Sequence, residues 1–245
     1  MFLSMVVLGT SLAAAAHADE LADVRASLQG LENRAPIHGT LDVQSTTIKD
    51  KSGPGKSQTA NLQLEIQAGD GLSIHLAAAL LQQINTEKSA HGADPDQPAL
   101  TADLLAQVNP LQVEDIVSAA PMLLRALVSA ASPVVKPAKL WGSPVQELSV
   151  KLPPPVSKKD SADMKDYQGG MLLWLDAKGV PLAYQQTMHA KFCKFFLCVT
   201  VDELENGTLR VIDGRLVTVT LIQEHKQSGL GQGSDTHIVY NLTLK

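Results

Sequence analysis

Aromatic residues, basic clusters and long apolar runs are scarce in this sequence, and each shortage excludes something. Phe, Trp and Tyr together make up 4% of the chain. That is too few for the two interfacial girdles of an outer-membrane barrel, and the final Leu242-Thr243-Leu244-Lys245 carries no aromatic either. The formal charge is −5 and no block of Lys or Arg stands out, which argues against nucleic acid as a partner. Beyond the first residues no apolar run approaches the roughly 18 residues of a membrane helix. The nearest, Ile116 to Leu124, is flanked by Glu114, Asp115 and Arg125.

Motifs for chemistry are missing as well. There is no Gly-x-Ser-x-Gly elbow, no His-Glu-x-x-His pair and no carboxylate pair set apart from the rest, so no catalytic residue, metal or cofactor is expected. His38, His75, His189, His225 and His237 are scattered along predicted strands and read as strand-face side chains. Gly229-Leu230-Gly231-Gln232-Gly233 has glycines, but no helix follows to receive a phosphate, and it reads as a hairpin loop.

What is present starts with an address. Residues 1–18 form an uncharged apolar run ending in Ala16-His17-Ala18, the small-x-small pattern preceding signal-peptidase cleavage. The mature chain is expected to begin at Asp19 and to be periplasmic or secreted. No Lys or Arg precedes the apolar core, which suits a true start upstream of Met1. The remainder is read as a single α+β domain, 19–245, with a helical insertion at about 77–131 and a flexible loop at about 153–169.

Leu21, Val24, Leu28 and Leu31 trace one stripe of a helix over 19–33. Ile37 to Val43, Leu62 to Ile66 and Leu72 to Leu76 then alternate apolar with polar, predicting three antiparallel strands in meander. A helix from Ala77 to Asn85, a polar loop from Thr86 to Pro98 and a helical zone from Leu100 to Ala131 come next. Thr101 is expected to cap its first helix, and Pro121 to split Leu111–Ala119 from Pro121–Ala131. The run Met122-Leu123-Leu124-Arg125-Ala126-Leu127-Val128 is apolar nearly all round, so Met122, Leu123 and Leu127 are candidates for the wall of an apolar cavity or for plain core.

After a strand at 145–152 and the Pro153-Pro154-Pro155 stop, strands are predicted at Met171–Leu175, Val180–Phe192, Leu197–Glu205, Leu216–Glu224 and His237–Leu244. Asn206-Gly207 is read as a hairpin turn, with Val217, Val219 and Leu221 sharing one face of the following strand. The whole is expected to be one curved antiparallel sheet with the helices on a single face. This order of elements resembles the lipoprotein-carrier proteins of the bacterial envelope, in which a curved sheet shelters acyl chains. The resemblance implies a non-enzymatic binding or carrier protein for an apolar ligand such as a lipid. An envelope protein-protein interaction module with a solid core is the other reading, its partner an envelope protein or a membrane surface.

Cys193 and Cys198 are the only cysteines. If Lys194 to Leu197 is a four-residue hairpin loop, Cys193 stands opposite Cys198. Phe192 then meets Val199 and Ala190 meets Val201 on an apolar side, while Lys191 meets Thr200 and His189 meets Asp202 on a polar side. The pairing sorts itself by polarity, so a disulfide is expected in an oxidising compartment, with Phe195 and Phe196 at the tip as candidate contact residues. Mass spectrometry of the alkylated native protein should find no free thiol, and Cys193→Ser with Cys198→Ser should cost about 2 kcal/mol of stability in urea.

Overall fold

The computed structural model describes residues 12–50, 56–154, 163–194, 197–229 and 232–245. Helix α1 (Leu12–Gln29) leads into strands β1 (Ile37–Asp50), β2 (Lys56–Ala68) and β3 (Leu72–His75). Helices α2 (Ala78–Ala93), α3 (Leu100–Gln107), α4 (Pro110–Val117) and α5 (Ala119–Ser129) follow. Strands β4 (Ala131–Leu140), β5 (Ser143–Lys151), β6 (Met164–Leu175) and β7 (Pro181–Lys194) come next, then β8 (Leu197–Ile212), β9 (Arg215–Gly229) and β10 (Gln232–Leu244). The strands form one antiparallel, open sheet of ten, in the order β3-β2-β1-β10-β9-β8-β7-β6-β5-β4.

Alternation along the strands decides which face is covered. One row runs across the sheet through Val135, Leu148, Leu173, Tyr184, Gly207, Leu221, Tyr240, Val43 and Leu62. Its members are apolar or aromatic apart from the glycine, and the helices pack over them. Val113 and Ile116 of α4 and Leu123 and Leu127 of α5 belong to the same core cluster as Leu173 and Leu221. The row one step to the other side of the strand plane, Glu147, Trp174, Ala183, Thr208, Thr220 and Asn241, is largely polar, as expected of an antiparallel sheet solvated on one face. Helix α1 adds Leu21, Val24 and Leu28 to the core, and Arg25 Nη2 donates to the carbonyl of Leu127 near the end of α5.

The β7–β8 hairpin has the register that polarity requires. Cys193 pairs with Cys198, Phe192 with Val199, Ala190 with Val201 and His189 with Asp202, and the two cysteines form a disulfide with a Cα–Cα distance of 4.1 Å. Phe195 and Phe196 lie outside the described residues.

Asn206-Gly207, by contrast, is no turn. Both residues lie inside β8, which runs on to Ile212 and turns at Asp213-Gly214, where φ is 49° and 76°. The reason is a cross-strand contact: Gly207 faces Tyr184, and a Cβ at Gly207 would come 2.0 Å from the Tyr184 ring. A neighbouring hydrogen bond, Gln185 Nε2 to Asn206 Oδ1 at 2.8 Å, reinforces the pairing. A ring placed over a glycine compensates for the side chain that glycine lacks and overrides its turn preference.

Other expectations are corrected by tertiary contacts. The bulge between Thr208 and Leu209 slips the β8–β9 register, pairing Leu209 with Thr218 and Thr208 with Thr220. Thr218 therefore joins the side of Gly207 and Leu221, while Val217 is fully buried in the same core cluster as Leu221. Helix α2 continues to Ala93 instead of stopping at Asn85, because Glu87 on its last turns reaches the start of α3. Thr101 does not cap α3; Ala99 precedes the helix without a side-chain cap, and Glu87 takes over the role by accepting from Thr101 N at 2.8 Å and Ala102 N at 3.4 Å. The helical break falls at Ser118, with Pro121 in the first turn of α5, where its missing N–H costs nothing. Residues 131–140 are a strand that Pro133 and Pro137 disguised; both are tolerated because β4 is a sheet edge. Strand β6 begins at Met164, inside the stretch expected to be loop. Residues 155–162 of that stretch, and residues 1–11 of the expected leader, lie outside the described residues.

Gly207→Ala should cost about 1–3 kcal/mol in urea unfolding through the clash with Tyr184, and Tyr184→Leu in the same chain should recover part of it. Burial raises the Glu87 carboxyl pKa, but hydrogen bonds from Thr101, Gln83 and Ala102 outweigh it and leave the group below its ordinary value. A depressed carboxyl stabilises the folded state above its unfolded pKa and loses that contribution as pH falls through the folded pKa. The melting temperatures of wild type and Glu87→Gln should thus differ at neutral pH and converge in acid, as calorimetry can read.

Candidate functional site

One step up the strands from the Tyr184 row, the helix-facing positions change character. Gln186 of β7, Glu205 of β8 and Gln223 of β9 stand in one line beside the core, where the neighbouring row is apolar. A carboxylate and an amide at half-buried positions must find partners, and Glu205 and Gln223 find each other. The Tyr184 hydroxyl donates to Glu205 Oε1 at 2.6 Å, and Gln223 Nε2 donates to Glu205 Oε2 at 2.7 Å. The same amide lies 3.1 Å from Gln112 Oε1 on α4, which ties the helix to the sheet.

Two hollows open over this network. One of about 200 Å³ is lined by Gln112, Asp115, Ile116, Met122, Tyr184, Gln186, Glu205 and Leu221. The other, about 330 Å³, continues along the strands past Gln186, Met188, Glu203, Glu205 and Gln223. Gln112, Gln186 and Glu205 line both, so they form one cleft at the lower end of the size range of small-molecule sites. In the smaller hollow Met122 is a half-buried apolar side chain, while Ile116 and Leu221 are buried beneath its floor. The polar groups of the cleft are carboxylates, amides and a phenol; among the described residues no Lys, Arg or His lines either hollow.

Electrostatics fix the protonation of the phenols. Burial, reinforced by the charge of Glu205 and the hydrogen bond to it, pushes Tyr184 well above the ordinary phenol value. Burial, and then the Glu205 charge, push Tyr240 up to about 12. Both stay protonated at physiological pH, so Tyr184 is a hydrogen-bond donor to Glu205 and not a base. Asp115 is held by Arg125 at 2.6 Å. Glu205 has a donor on each oxygen, lines both hollows, and has no cation at hydrogen-bonding distance among the described residues. Such an arrangement suits recognition of a donor-bearing, positively charged group.

Of the residues singled out from sequence, Met122 lines the cleft, while Leu123 and Leu127 are 0% exposed and sit in the core beneath it. His189 Nδ1 meets Asp202 Oδ1 at 2.6 Å, and His225 Nδ1 meets Glu203 Oε1 at 3.1 Å, each across a strand pair. Among the described residues no three His, Cys, Asp or Glu side chains are grouped to hold a metal ion. Glu205, Gln223 and Gln186 were not singled out. Their signal is a polar residue at an inward position of three successive strands, legible only once the register is known.

No described helix is long and apolar enough to cross a membrane. No protein-family profile matches the chain, and no curated protein does.

Proposed function

We propose that this chain is an exported, non-enzymatic binding or carrier protein whose ligand occupies the cleft between α4, α5 and strands β7 to β9. The disulfide supports export, since such bonds form and persist in oxidising compartments. The element order shared with lipoprotein carriers supports the carrier reading, and the apolar run ending at Ala18 supports a leader. The observation that carries the ligand class is the Glu205 carboxylate, which lines a cleft beside Met122 with no Lys, Arg or His among the described lining residues. The ligand is a small amphiphile: a short aliphatic part lies against Met122, and an ammonium or similar donor-rich cation meets Glu205. An acyl chain without such a head fills only the apolar part.

Titration calorimetry with aliphatic amines, matched carboxylic acids and fatty acids tests this. Amines should bind, matched acids should not, and Glu205→Gln, which keeps the Tyr184 hydrogen bond, should weaken amine binding about ten- to a hundredfold. Binding of fatty acids alone returns the ligand to the purely apolar class. A protein that binds none of the three supports the solid-core interaction module in place of the carrier.

A further inference from the structure

The two edges of the open sheet are unequally protected. Strand β4, at one edge, contains Pro133 and Pro137, which offer no N–H, together with Lys136, Lys139 and an irregularity between Ala131 and Val134. These are devices that deter another strand from pairing. At the other edge β3 is only four residues long and covers Glu65 to Ala68 of β2. Above it, the outer side of Ser57 to Leu64 pairs with no strand among the described residues, while its inner side is in unbroken register with β1. The segment Ser57-Gln58-Thr59-Ala60-Asn61-Leu62-Gln63-Leu64 holds no proline, no glycine and no charge. Nothing in it discourages strand addition.

We propose that a second copy of this chain pairs there, β2 against β2, so that two sheets become one. The segment suits itself as a partner. A two-fold axis normal to the sheet at Ala60 or Asn61 keeps equivalent faces together. With the axis at Asn61, Ala60 meets Leu62 on the helix-facing side, and on the outer side Thr59 meets Gln63 and Asn61 its own copy; with the axis at Ala60, Ala60 meets its own copy, Leu62 meets Gln58 and Thr59 meets Asn61. The outer pairs are hydroxyls and amides of the kind already joined across this sheet, as between Thr46 and Thr59 at 3.3 Å and Thr220 and Asn241 at 3.2 Å. No like charges are brought face to face within the paired segment, although the chain as a whole carries −5. The inference rests on the sheet edge and is independent of the cleft.

Sedimentation velocity of the full oxidised chain, from about 1 µM to about 1 mM, should show the mass doubling with concentration. Thr59→Lys with Asn61→Lys places lysines opposite one another in either register and should hold the protein monomeric with an unchanged circular dichroism spectrum. Ala138→Lys on β4 should leave dimerisation intact. Hydrogen exchange at the two ends of the concentration range needs no variant, and should show added protection confined to the amides of 57–64. A wild type monomeric throughout, a doubly lysine-substituted chain that dimerises as well as wild type, or protection appearing elsewhere overturns the proposal.

Discussion

The contact between Tyr184 and Gly207 is the constraint on which the rest of the structure depends. The ring needs the space that a side chain at position 207 would fill, and β8 needs a cover over its glycine to remain a strand. Because both needs are met at once, β8 runs 16 residues from the disulfide hairpin to the Asp213-Gly214 turn. That length sets the registers of β7, β8 and β9 against one another. It also carries the phenol hydroxyl to Glu205, one step along the sheet from the core.

Core and cleft are thereby parts of one pattern. The Tyr184 row is apolar and covered by α4 and α5; the next row is polar, and Gln112 of helix α4 is hydrogen-bonded to it. Burying Glu205 without partners would be costly, so Tyr184 and Gln223 hold its two oxygens, and the charge that remains faces open space. Leu123 and Leu127 serve this arrangement from below by fixing α5, and Met122, their neighbour, presents its side chain to the cleft.

Local pairing was legible in the sequence where polarity alone selects a register, as in the Cys193–Cys198 hairpin and in the meander of β1, β2 and β3. It was illegible where a distant residue decides. Asn206-Gly207 carries a strong local turn preference, and only Tyr184, more than twenty positions earlier, overrules it. Glu87 replaces the cap expected of Thr101 for the same reason, and the prolines of β4 conceal a strand whose edge position tolerates them. The cleft was hidden because Gln186, Glu205 and Gln223 become neighbours through β7–β8–β9 register, one part of which is displaced by the bulge at Thr208.

The most direct measurement of this account is the nuclear magnetic resonance shift of the Gly207 Hα protons. With the Tyr184 ring lying over them they should move upfield of ordinary glycine, show contacts to the ring protons, and return toward ordinary glycine in Tyr184→Leu. Ordinary glycine shifts in the wild type, with the short-range contacts of a two-residue turn at Asn206-Gly207, would contradict it.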